Sequence, residues 1–206
     1  MAEAVGFQFR EIGLGEGQLA PVVLLHGSGS CEDALVPFGR RVAPDRSIIA
    51  VRGRVPWQDG YAFFRRHSDR TLDYEDLAER SREFCAFLDH LCTVGRRAPL
   101  LLGVSNGAIM AAAAIARASD LSSGAVLLRP LSPFIGAVLP PLRCYPLLLV
   151  GGSADTRRLP SDTPQLAEQF RQAGASVTEH VLPIGHSLDE AGLDYSLVRN
   201  WLASRD

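Results

Sequence analysis

The most constraining feature of the chain is a run of nineteen residues without a formal charge, 98–116, reading APLLLGVSNGAIMAAAAIA. Such a run either crosses a bilayer or folds as a buried strand, a tight turn and a buried helix. Gly103, Ser105, Asn106 and Gly107 place polar and flexible residues at its middle, and no aromatic belt flanks it. The strand–turn–helix reading follows. It predicts a strand over 99–104 and an Ala-rich helix over 107–117 that is apolar nearly all round and therefore buried.

That unit recurs along the chain. Short apolar runs at 21–26 (PVVLLH), 47–51 (SIIAV), 124–128 (GAVLL), 146–150 (PLLLV) and 176–182 (SVTEHVL) read as further strands buried on both faces. Residues 5–12 add an antiparallel strand at one edge. Between the strands, 73–91 carries Leu77, Phe84, Leu88 and Leu91 on one stripe, and 162–174 carries Leu166, Phe170 and Ala173 before a terminal glycine. The tail, 189–203, offers Leu193, Leu197 and Leu202 as the docking face of a last helix. Strands and helices alternating in this way imply an α/β fold: a mostly parallel sheet, right-handed crossovers and helices on both faces. No repeat or linker divides residues 1–206, so one domain is expected. The stretch 52–71 has no assignable element, and loops of that length are usually functional.

Composition excludes several classes. With 47% hydrophobic and 21% charged residues among 206, the chain can bury a core and is not disordered. A formal charge of −2 supplies no field for a phosphate backbone, so nucleic acid is not an expected partner. Cys31, Cys85, Cys92 and Cys144 form no C-x-x-C pair and read as free thiols of a reducing compartment. The N-terminus shows no basic segment followed by an apolar run, so a cytoplasmic location without membrane insertion is expected.

The chemistry centres on Gly103-Val104-Ser105-Asn106-Gly107. G-x-S-x-G is weak by itself, but an apolar strand before it and a helix of small residues after it are what a nucleophile elbow requires. The alternative is that Ser105 merely caps the helix. A serine hydroxyl needs a base, and the base needs an orienting acid. Asp155 follows the strand 146–150 and His186 follows the strand ending at Leu182, which puts both at the sheet edge that carries Ser105. Their plain alternatives are a solvated carboxylate and a surface imidazole. The other histidines fit less well: His67 lies among charges, His90 late in a helix, His180 in mid-strand, and His26 shapes the glycine loop. That loop, His26-Gly27-Ser28-Gly29-Ser30, offers the backbone N–H of Ser28, which with that of Asn106 makes a pair of oxyanion donors. Dinucleotide binding is disfavoured, because Glu32 stands where G-x-G-x-x-G needs its third glycine.

The LLHGSGS loop, the GVSNGA elbow, the VGGSAD loop and the PIGHS turn resemble the phospholipase/carboxylesterase family of serine α/β-hydrolases. The likeness is nearest to its small bacterial carboxylesterases and hydroquinone-linked hydrolases. It extends over nearly the whole chain, including 52–55 (RGRV), 63–66 (FFRR) and 129–133 (RPLSP). The resemblance implies an α/β-hydrolase fold with nucleophile Ser105, acid Asp155, base His186 and oxyanion donors at Ser28 and Asn106. It also implies a small ester substrate of short to medium chain, no metal or organic cofactor, and commonly a homodimer. Lysophospholipase, thioesterase and non-catalytic ligand-binding readings share the scaffold. The segment 129–145 is too short for a large helical lid, and Trp57, Phe63, Phe64, Leu131 and Phe134 are expected to line an open pocket. Two departures stand out. Arg157 and Arg158 replace an apolar-Pro step after the acid, where they either pair with Asp155 or favour an anionic substrate. Cys31 lies beside the oxyanion loop, either as a reactive thiol or as packing.

Overall fold

The central strands carry apolar residues at successive positions, so both of their faces must be covered, and they are. The computed structural model describes residues 1–13, 19–69, 71–189 and 192–205. Eight strands form one sheet: β1 (Ala2–Ala4), β2 (Phe7–Ile12), β3 (Val22–Leu25), β4 (Ile48–Val51), β7 (Leu100–Val104), β8 (Gly124–Leu128), β9 (Pro146–Gly152) and β10 (Ser176–Leu182). Their spatial order is β1-β2-β4-β3-β7-β8-β9-β10. Every pair from β4 to β10 is parallel, whereas β1–β2 and β2–β4 are antiparallel. A separate hairpin, β5 (Val55–Trp57) with β6 (Gly60–Ala62), fills part of the stretch left unassigned from sequence.

Alternation along each strand divides the core in two. Val23 and Leu25, Ile49 and Val51, Leu101, Leu127 and Leu149 face one side. They pack there with α2 (Tyr74–Thr93), α3 (Asn106–Arg117) and α4 (Asp162–Gln172) through Phe84, Phe87, Leu88, Ile109, Met110 and Phe170. Val22, Leu24, Ile48, Leu100, Leu102 and Val150 face the other side. Their partners are α1 (Val36–Val42) and α5 (Leu193–Ala203), through Phe38, Val198 and Trp201. The periodicity of 73–91 is realised in α2, whose Asp73 caps the N-terminus by accepting a bond from the Asp76 N–H at 3.0 Å.

Two expectations change, and one element is added. Strand β10 is not buried on both faces; it closes the sheet as an edge, which is why Glu179 and His180 are tolerated within it. Leu193 is 44% exposed because α5 starts there and turns its Val198–Trp201–Leu202 side inward; residues 190 and 191 of the anticipated tail helix lie outside the described residues. The short helix α1 has too few residues to show a period and was not foreseen. The charge-free run is β7, a turn and α3, and among the described residues no helix is long and apolar enough to cross a membrane.

Candidate active site

The elbow is built by two close approaches. A Cβ on Gly103 would stand 2.6 Å from the Gly107 carbonyl oxygen, and one on Gly107 would stand 2.2 Å from that of Leu25. Only hydrogen fits at either position, and this lets α3 leave the sheet almost directly over β3. Between them Ser105 adopts φ 53° and ψ −106°, a strained backbone for a residue with a side chain. The first intrahelical bond runs from Ile109 N–H to Ser105 O at 3.1 Å, so the Asn106 N–H has no partner within the helix.

Parallel strands place their following loops at one rim, and three of these loops meet there. His186 Nδ1 lies 2.7 Å from Asp155 Oδ2, and its Nε2 lies 3.0 Å from Ser105 Oγ. A carboxylate only accepts, so Nδ1 carries the proton and Nε2 is free to accept from the serine hydroxyl. Asp155 is buried, and its second oxygen accepts the Arg157 backbone N–H at 2.7 Å. The His186 turn is laced to the Asp155 turn by bonds from Ser153 N–H to Leu182 O and from Ala154 N–H to Ile184 O. Burial pushes the His186 pKa below its ordinary value; the Asp155 carboxylate pulls it up, and the Arg158 and Arg157 charges press it down.

The glycine loop lies alongside. A Cβ on Gly27 would stand 3.8 Å from Ser105 Cβ. The loop is anchored to β6 by Gly29 N–H to Tyr61 O at 2.9 Å and Tyr61 N–H to Ser30 O at 2.8 Å. Gly27, the neighbour of Ser28, is therefore the loop residue that lies against Ser105. His26 supports the loop from beneath: its Nδ1 donates to Gly27 O at 2.7 Å, and its Nε2 accepts from Gly53 N–H at 3.0 Å. Burial lowers its pKa and keeps the ring neutral. Glu32 is buried in a bidentate pair with Arg52, both contacts at 2.6 Å, which ties the loop to the end of β4. Cys31 is half-buried at the start of the short 3₁₀ turn (Glu32–Leu35). Burial raises the Cys85 thiol to about 11.

The anticipated pocket residues separate. Trp57 is half-buried in the hairpin beside Gly29. Phe63 and Phe64 are 1% and 0% exposed and belong to the core, not to an open pocket. Their backbone is clamped by the Asn106 side chain, whose Oδ1 accepts from Phe63 N–H at 2.7 Å and whose Nδ2 donates to Phe64 O at 3.4 Å. Leu131 and Phe134 are half-buried after β8. Phe134 stacks edge-on against Phe170 and faces a cavity of about 390 Å³ between α2 and α3, whose lining includes none of Ser105, Asp155 and His186. The segment 129–145 has neither helix nor strand, so it forms no helical lid.

Two arginines escaped assignment by sequence reasoning. Arg129, 1% exposed, forms a bidentate pair with fully buried Asp194 at 2.5 and 3.0 Å. It also donates to Gly185 O at 2.9 Å and Ser187 O at 3.3 Å, the two carbonyls that flank His186. Arg129 is thus a positioning residue and is not available to a substrate. Arg158 reaches the serine of the elbow: its Nη2 donates to Ser105 Oγ at 3.1 Å. The double arginine was visible in the sequence; its direction was not.

No family model matches the chain. A protein of Bacillus subtilis (strain 168) named as a hydrolase, MhqD, is 32% identical over 172 residues, 82% of this chain and 86% of that one. The crystal structure of the Bacillus cereus carboxylesterase superposes with a TM-score of 0.90 at 27% identity, covering 97% of this chain and 95% of that chain. A carboxylesterase from Mesorhizobium loti gives 0.90 at 30% identity, covering 98% and 97%. With the fold, the rim and these likenesses in agreement, the chain belongs to the α/β-hydrolase family of small bacterial carboxylesterases.

Proposed function

We propose that the chain is a serine carboxylesterase that cleaves short- to medium-chain esters through an acyl-enzyme. The observation that carries this reading is the continuous line of contacts Asp155–His186–Ser105, at 2.7 and 3.0 Å, in the tautomer a general base requires. Ser105 Oγ attacks the ester carbonyl as Nε2 of His186 takes its proton. The oxyanion is met by the N–H groups of Ser28 and Asn106, the latter aided by the positive end of α3. His186 then gives the proton to the leaving alcohol. Water, deprotonated by the same imidazole, releases the acid. Asp155 holds the ring and stabilises the imidazolium. A rim without a helical lid suits small, accessible esters.

Labelling with a fluorophosphonate probe and turnover of a p-nitrophenyl ester series test this reading together. Ser105 is expected to be the labelled residue, and Ser105→Ala to lower kcat by about four to six powers of ten. Residual activity within tenfold of the wild type, or labelling elsewhere, overturns the assignment. A folded protein that neither labels nor turns over any ester is a ligand-binding member of the fold. Matched thioesters and lysophospholipids in the same series distinguish the other hydrolases that run on this machinery.

A further inference from the structure

The Arg158 guanidinium is a half-buried cation whose partners are all neutral oxygens: Ser105 Oγ at 3.1 Å, Arg129 O at 3.0 Å and Arg157 O at 3.2 Å. Among the described residues it makes no ion pair. The nearest candidates are committed elsewhere. Asp155 accepts from His186 and the Arg157 N–H, and Asp162 accepts from the Leu159 N–H. Every other site arginine differs. Arg129 is neutralised by Asp194 and Arg52 by Glu32, each bidentately, while Arg157 is exposed to water. Asp155 and Asp162 act on the Arg158 charge only across space, without a direct contact. Sheltering a charge from water with no bonded counter-charge is costly, and here it is done within hydrogen-bond reach of the nucleophile. The Arg129 carbonyl fixes the Nε edge, so the Nη2 corner is aimed at the site.

We propose that Arg158 is the specificity residue of this site, and that it selects esters carrying a carboxylate close to the scissile carbonyl. This rests on the esterase reading above and deepens it. Ser105 Oγ occupies a donor of the guanidinium, and that bond withholds a lone pair from attack. A substrate carboxylate takes the donor over, releasing Oγ toward the carbonyl, whereas a neutral ester must break the bond without replacing it. The reach is short. A charge-assisted bond of about 2.8 Å added to the 3.1 Å contact places the anion within about 6 Å of Oγ. Half-esters of dicarboxylic acids of three to five carbons, or esters of short hydroxy acids, meet that limit.

The test compares matched pairs of esters on the whole protein. Phenyl hemisuccinate against phenyl butyrate carries the anion on the acyl side, and O-acetylglycolate against ethyl acetate carries it on the alcohol side. Water adds hydroxyl to the acyl group and a proton to the leaving oxygen in each case. The wild type is expected to favour the anionic member of at least one pair by about 10- to 100-fold in kcat/KM, the range for hydrogen bonds to a charged group. The favoured pair identifies the side on which the anion binds. Arg158→Gln is expected to collapse that ratio to near one, and Arg158→Lys to restore part of it. Succinate is expected to protect Ser105 from the fluorophosphonate in the wild type, and to protect it less in Arg158→Gln. No anionic preference in a wild type that labels at Ser105 overturns the proposal and leaves the esterase reading intact. An equal fall for both members of a pair in Arg158→Gln also overturns it, since Arg158 would then act on the nucleophile instead of the substrate. Failure of Ser105 to label at all removes the esterase reading instead. The wild-type ratio keeps the test decisive even if the variants do not fold.

Discussion

His26 and His186 show how one residue type is given two tasks by its surroundings. Both rings are shielded from water and both are held neutral by burial. His26 spends both nitrogens on backbone groups, Gly27 O and Gly53 N–H, so it can neither give nor take a proton without breaking its loop. His186 spends one on Asp155 and keeps the other toward Ser105. The pH dependence follows from its lowered pKa. In the proposed mechanism the neutral ring is the active form, so kcat/KM should be flat at neutral pH and fall tenfold per unit on acidification, with a midpoint below the ordinary 6.5. A pH–rate profile on a neutral ester checks this. A midpoint above 6.5 would mean that the Asp155 carboxylate outweighs burial and the two arginines.

At the scale of elements, the elbow is the unit on which the rest depends. The GVSNG turn is readable because its glycines, the preceding strand and the small-residue helix are neighbours in sequence, and local sterics demand all three. Gly107→Ala should therefore be severe for a single methyl. Its Cβ would meet backbone atoms of Leu25 and His26, which cannot rotate away. Overpacking of this kind costs about 1–3 kcal/mol or more, and the shift would also move Ser105 off His186. Urea unfolding together with p-nitrophenyl ester turnover should show both losses. Elements without a local signature were harder to read. The β5–β6 hairpin is two three-residue strands around Gln58 and Asp59, too short to display alternation. The exposure of Leu193 depends on where α5 begins, which is decided by contacts of Asp194 outside the helix.

At the scale of the molecule, the parallel sheet delivers three loops to one rim, and the Arg129–Asp194 pair fastens the His186 turn to α5. Breaking a buried pair by removing one partner leaves the other charge stranded, at about 3–5 kcal/mol. Asp194→Ala is therefore expected to lower the stability by that amount in urea titration. Its remaining activity should show a reduced kcat with KM little changed, because the turn that carries His186 loses its anchor. A stability within 1 kcal/mol of the wild type, roughly a surface-substitution effect, would contradict this role. The alternation of apolar runs, the strand–turn–helix at GVSNG and the placing of residues 105, 155 and 186 after parallel strands were all determined by the sequence itself, since each rests on residues adjacent in the chain or on the rule that parallel strands end at one edge. Tertiary structure alone decided that Arg158 turns to Ser105 across 53 residues and that Arg129 is neutralised across 65. It also decided that Phe63 and Phe64 pass into the core beneath the Asn106 amide. Long flexible side chains and irregular loops take their direction from neighbours brought in by sheet register, and no pattern within a few residues encodes it.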